Sequence, residues 1–141
     1  MSATRRARAS VVCRHGGRLL TVRAVDPVGG QRYLFLPGGA IEAGELPAAA
    51  AERETREETG YRVAVDPSSE IVLDYPFCWT GKQIDCRTHF FRAALIDPVA
   101  APAVVEDDAY LFGVEWVPEG EVATAFAYHD VIRRAVLELL D

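Results

Sequence analysis

Residues 38 to 61 read GGAIEAGELPAAAAERETREETGY, a double-glycine turn that feeds a short helix with its acidic residues gathered on one side. Pro47 suits a first helical position, because it needs no amide partner and its backbone angle is already helical. Gly60 suits the left-handed residue that ends a helix, so the pattern predicts a helix over 47–59. Within it Glu54 and Glu57 are three apart and Glu54 and Glu58 four apart, which sends all three carboxylates out from one side. Massed anions repel one another and weaken a helix unless a cation sits among them. Arg53 is four before Glu57 and is placed to hold it, yet one guanidinium does not neutralise three carboxylates. Hard oxygen ligands in that condition suit Mg2+ or Mn2+, cations that keep several waters and bind substrate phosphates.

Taken alone, a charge-rich helix is an ordinary solvated face, with Glu52 and Arg56 or Arg53 and Glu57 as surface pairs. The segment before it changes that reading. Leu36-Pro37-Gly38-Gly39 brings flexible backbone next to the helix after an apolar run, and Glu42 and Glu45 add carboxylates at the other end. Counted from Gly39, the order is five residues, Glu45, seven residues, then Arg53-Glu54-Thr55-Arg56-Glu57-Glu58-Thr59-Gly60-Tyr61. This resembles the Nudix box, GX5EX7REUXEEXGU, where U is a bulky aliphatic residue. Every glycine, glutamate and arginine position is occupied. Thr55 and Tyr61 depart from the pattern, and both stand at packing positions.

The resemblance implies an α/β fold, a Nudix-type α/β/α sandwich with a mixed central sheet, a loop-helix carrying the box and a C-terminal helix. It also implies a metal site made by Glu54, Glu57, Glu58 and the main-chain carbonyl of Gly38, with Arg53 orienting the helix glutamates. The general base is left open between Glu57, placed first, Glu54, and Glu106, Asp107 or Asp108 of a later acidic loop.

With 141 residues, half of them hydrophobic, the chain is long enough for one domain with a core and short for two. The expected organisation is one domain over 1–141, with residues 1–8 a flexible arm in which Arg5, Arg6 and Arg8 are solvated. A net charge of −6 and a pI near 5.1 give no general attraction to nucleic acid, which is not an expected partner. No apolar run is long enough to span a bilayer, and the N-terminal stretch lacks a signal-peptide core. Cys13, Cys78 and Cys86 cannot all pair with one another and fit a reducing cytoplasm; Cys13 reads as a core residue. His15, His89 and His129 are scattered and read as structural or surface groups. A homodimer is compatible with the sequence.

Strands are expected over 9–15 and 18–24, joined at Gly16-Gly17, then over 33–36, 61–65, 71–80, 84–95 and 112–117, with a helix over 128–140. Residues 97–109 read as a loop. Aromatic residues of the 71–80 and 84–95 strands could stack on a base, Trp79 first among them, although alternating aromatics also make plain sheet core. Arg23, on the second strand, is a candidate for reaching a phosphate.

The resemblance implies a divalent-metal-dependent hydrolase that cleaves the pyrophosphate bond of a nucleoside diphosphate linked to another moiety. Small nucleotide-type diphosphates are the expected partners and Mg2+, or Mn2+, the expected cofactor. Two other readings stand beside it. One is a Nudix-like nucleotide-binding or regulatory module without turnover, which has no need of Glu54, Glu57 and Glu58 together. The other is a prenyl diphosphate isomerase, which needs a further acid–base pair around an apolar pocket that the sequence does not display.

Overall fold

The computed structural model describes residues 5–97 and 111–141, apart from the side chain of Phe112. The expected loop over 97–109 and its Glu106, Asp107 and Asp108 lie outside the described residues, except Asp97. In chain order the elements are β1 (Arg6–His15), β2 (Arg18–Val25), β3 (Arg32–Phe35), β4 (Gly38–Ala40), α1 (Pro47–Thr59), β5 (Val63–Val65), β6 (Ile71–Trp79), β7 (Lys82–Leu95), β8 (Leu111–Pro118), α2 (Val122–Ala125) and α3 (Asp130–Leu140).

The eight described strands make one mixed sheet. β1 and β7 run parallel at its centre, from Arg6 opposite Cys86 to Cys13 opposite Ala93, and the other pairings are antiparallel. Two-residue turns close both hairpins, the first at the expected Gly16-Gly17 and the second at Thr80-Gly81 where the sequence suggests Gly81-Lys82. Gly16 and Gly17 have φ of 58° and 75°, and at the β6–β7 turn Thr80 and Gly81 have φ of 53° and 75°. Positive φ at both central positions gives the turn a twist that matches the flanking strands.

Alternation along the central strands divides the core in two. Val11, Cys13 and Phe91 face α1 and pack with Ala50 and Ala51. Val12 and Phe90 face the other way, against Ile132, Ala135, Val136 and Leu139 of α3. Helices on both faces of a mixed sheet are the layered α/β arrangement the resemblance implies. Cys13 is fully buried, and its burial raises the thiol to about 11. His129 caps α3, with Nδ1 accepting from the Ile132 N–H at 3.4 Å, and Nε2 bonds the Pro76 carbonyl at 2.8 Å.

Two expectations are corrected here. Arg6–Arg8 belong to β1 instead of a free arm, because the first half of β7 offers them a parallel partner. Gly38-Gly39 is not flexible loop but β4, paired with Ser10 and Ala9 of β1 and buried. A Cβ at Gly38 would collide with the Ala9 carbonyl oxygen and the Ser10 hydroxyl, so only glycine lets the strands approach this closely.

Candidate active site

The box helix begins and ends where sequence places it. Pro47 opens α1, and Gly60 closes it at φ 78° with its N–H on the Arg56 carbonyl at 2.9 Å. The two departures from the box are accommodated locally. Thr55 is fully buried, and its hydroxyl donates to the Ala51 carbonyl at 2.7 Å, which satisfies the polar atom within the helix. Tyr61 packs edge-on against Trp116 at 5.4 Å between ring centroids and accepts a hydrogen bond from its indole N–H at 3.2 Å.

Arg53 is the hub. Its Nε and Nη2 donate to Glu45 at 2.8 and 2.9 Å, a forked pairing, while Nη1 donates to Glu54 at 2.9 Å and Nη2 to the Ala40 carbonyl at 3.0 Å. Glu57, the partner expected from the helix spacing, is reached only at 3.3 to 3.4 Å and is more than half exposed. Hydrogen bonds from Arg53 hold the Glu45 carboxyl at about 2. The Arg53 guanidinium is raised in turn, through the same bonds to Glu45. Glu54 behaves oppositely: burial pushes its carboxyl above the ordinary range in spite of Arg53. Desolvation therefore outweighs the guanidinium groups of Arg53 and Arg8 at this carboxylate.

α1 is tied to β4 at two points. Glu58 Oε1 accepts the Gly38 N–H at 2.8 Å. The Glu54 carboxylate lies over Gly39, where a Cβ would come within 2.5 Å of the carboxylate carbon. Both contacts open onto a cavity of about 440 Å³. At its other end Phe35, Phe77, Trp79 and Tyr128 form the wall, with centroids of Phe35 and Trp79 5.5 Å apart and of Phe77 and Tyr128 6.3 Å apart. That volume lies in the range of small-molecule sites.

Of the residues singled out from sequence, Gly38, Glu54, Glu58 and Trp79 line this one cavity. Arg53 and Glu57 stand beside it on α1. Arg23 is not brought there: it donates to the Val114 carbonyl at 3.1 Å and pairs with Glu115 at 3.6 Å. His89 bonds Glu70 at 2.8 Å outside the cavity. Sequence reading missed Arg6 and Arg8, which line the cavity from β1; their two-residue spacing before the apolar run 9–13 was the signal available.

Among the described residues, no three carboxylate, histidine or cysteine side chains form a cluster that could hold a metal ion as they stand. Arg53 Nη1 lies between Glu54 and Glu57, and Glu58 is turned to the Gly38 N–H. The donor set itself is chemically suited to a hard divalent cation, being carboxylate and carbonyl oxygen throughout.

Fold and cavity together define a layered α/β protein with a cavity of small-molecule size beside an acidic helix. A family model described as NUDIX domain matches residues 3–140, and the chain belongs to the Nudix family. A MutT-like protein of Streptomyces ambofaciens is 47% identical over 58 residues, 41% of this chain and 35% of that protein. An ADP-sugar pyrophosphatase of Mus musculus is 39% identical over 75 residues, 53% of this chain and 32% of that one. The matches thus span about a third of the length of these two relatives. A solved NUDIX hydrolase from Nitrosomonas europaea shares the fold, with a TM-score of 0.72 at 20% identity, covering 97% of this chain and 88% of that one. No helix among the described residues is long and apolar enough to cross a membrane.

Proposed function

We propose that the protein is a divalent-metal-dependent hydrolase of nucleoside diphosphates linked to a second moiety, cleaving the pyrophosphate bond to a nucleoside monophosphate and a phosphorylated remainder. The observation that carries this reading is one cavity with Glu54 and Glu58 at one end and Trp79 and its aromatic neighbours at the other. Such a space offers a base a stacking surface and puts its phosphates next to the box helix. Family membership supports the reaction class, and the resemblance to an ADP-sugar pyrophosphatase supports the substrate class.

Glu54, Glu57, Glu58 and the Gly38 carbonyl would hold Mg2+ or Mn2+. When bound, the cation would supply charge neutralisation on the phosphates and acidify a water. The chain's own part is positional. Arg53, locked by Glu45, fixes the side chain of Glu54, and the Gly38 N–H fixes that of Glu58. Glu57 is the exposed carboxylate of the three, and we assign it the proton of the attacking water. That water forms the new P–O bond as the bridging P–O bond breaks. The free thiols of Cys13, Cys78 and Cys86 favour a reducing cytoplasm as the location.

The test is a panel of nucleoside triphosphates, dinucleoside polyphosphates, nucleotide sugars and ADP-ribose, incubated with Mg2+, with Mn2+ and with chelator, and products identified by mass. Metal-dependent appearance of a nucleoside monophosphate is the expected result. Binding without turnover across the panel would replace this reading with that of a nucleotide-binding module.

A further inference from the structure

Arg6 and Arg8 are two apart on β1, so they share the strand face that continues through Ser10 to Val12 beneath α3. Burial deepens along that row: Arg6 is exposed, Arg8 half-buried, Ser10 buried and Val12 wholly enclosed. The first three members line the same cavity as Glu54 and Glu58. Across the sheet Arg6 lies opposite Cys86 and Arg8 opposite Thr88, whose hydroxyl is bonded to that of Tyr75 at 2.7 Å. Burial raises the Tyr75 hydroxyl and the Cys86 thiol, and the charge of Arg8 offsets part of both, as it does for Glu54.

Arg53 and Arg8 therefore flank Glu54 in very different conditions. Arg53 spends its donors on Glu45, Glu54 and the Ala40 carbonyl. Beyond the backbone pairing of Arg8 with Ala40 and Thr88, its side chain makes no hydrogen bond or salt bridge among the described residues, and Glu54 is a carboxylate whose charge it feels. A guanidinium is always charged and carries five donors, so a half-buried one facing a cavity calls for an anionic ligand. On β6, Tyr75, Phe77 and Trp79 project from the same face, and the strand carries them away from Arg8 toward the aromatic end. Tyr75 and Trp79 are four residues apart, roughly 13 Å along a strand, a span comparable to a nucleoside diphosphate.

We propose that Arg8, seconded by Arg6, grips a phosphate of the nucleotide directly, so that the cavity recognises a nucleoside diphosphate by a cation at one end and an aromatic surface at the other before any metal is bound. This rests on the nucleotide reading of the cavity. A planar fork takes two phosphate oxygens at once, which gives orientation as well as attraction. Arg8 would thereby hold the substrate near Glu54 and Glu58, which would otherwise repel it.

Calorimetry in EDTA, with ADP, GDP, UDP and CDP and the four matching nucleosides as probes, reads this without turnover. In the wild type, at least one diphosphate should bind about tenfold or more tighter than its nucleoside. Arg8→Gln should remove most of that advantage and leave nucleoside affinity unchanged, with Arg8→Lys and Arg6→Gln intermediate. In turnover assays KM should rise more than kcat falls. Equal diphosphate affinity in wild type and Arg8→Gln, or an equal loss for nucleoside and diphosphate, would overturn the proposal. Arg8-dependent binding without hydrolysis of any panel member would uphold the grip and sink the hydrolase reading; hydrolysis with Arg8-independent binding would do the reverse.

Discussion

The backbone N–H of Gly38 donates to Glu58 Oε1 at 2.8 Å, so that residues twenty apart in the chain hold one end of the box helix against the edge of the sheet. Gly38 itself sits against β1, where a side chain would meet the Ala9 carbonyl and the Ser10 hydroxyl. The backbone of β4 thus fixes the direction of the Glu58 carboxylate on α1.

Glycine substitutions should separate fold from chemistry. Gly38→Ala would drive a methyl into the Ala9 carbonyl, which is backbone and cannot yield, and we expect a loss of about 3 kcal/mol in unfolding free energy. Gly39→Ala meets the Glu54 carboxylate, the far end of a flexible side chain, and we expect only about 1 kcal/mol. Its turnover, by contrast, should collapse, because the carboxylate must move aside. Denaturant melts and steady-state rates on both variants decide it; a Gly39→Ala protein with native activity would remove Glu54 from the site.

Charge and shape can be told apart at Glu58. Glu58→Gln keeps an oxygen acceptor for the Gly38 N–H while removing the negative charge a hard cation needs, so melting should be near native and kcat should fall by about a hundredfold or more. Glu52→Gln is the comparison. Glu52 accepts the Val65 N–H at 3.0 Å on another side of the helix, a bond glutamine can keep, and its rate should stay native. Similar rates for the two variants would reduce the helix to a charged surface.

Acid should unlock the Arg53 hub over a defined window. Glu45 titrates at about 2 in the fold against an ordinary value of 4.5, held down by hydrogen bonds from Arg53. A depressed folded pKa gives stability that is complete above the unfolded value and is lost as pH falls through the folded one. The melting temperatures of wild type and Arg53→Gln should therefore differ by several degrees at neutral pH and converge as pH falls from about 4.5 to about 2. Glu54 carries the opposite sign: burial raises its pKa, so its ionised form opposes folding above that value. Thermal melts of both proteins across this range would show the convergence; a gap that persisted down to pH 2 would deny Glu45 its role.

The aromatic wall should show in KM. Stacking of a base on an aromatic ring is worth roughly 1–3 kcal/mol, so Trp79→Ala should raise KM about tenfold with a smaller change in kcat. Trp79→Phe keeps a ring in contact distance of Phe35 and should recover most of the loss. Unchanged KM in the alanine variant would make this cluster sheet core and nothing more.

The sequence by itself determined the box helix, because its signals are local. Pro47 and Gly60 act on their own backbone angles, and the spacing of Glu54, Glu57 and Glu58 follows from helical pitch, so the 47–59 boundaries hold to the residue. The Gly16-Gly17 turn was legible for the same reason, and Cys13 reads as core from its apolar neighbours, whereas the β6–β7 turn falls at Thr80-Gly81, one residue before the Gly81-Lys82 that the sequence suggests. Everything that depends on a distant partner was decided only by tertiary structure. Arg53 prefers Glu45 to Glu57 because the loop folds back onto the helix, a pairing that pitch does not encode. Arg6 and Arg8 look like a solvated tail until β7 arrives beside them in parallel and turns them into one wall of a cavity. Arg23 looked available for a phosphate until β8 supplied Val114 and Glu115 as its partners. Local geometry is written in neighbouring residues, whereas a cavity is written in the register of strands that meet only after folding.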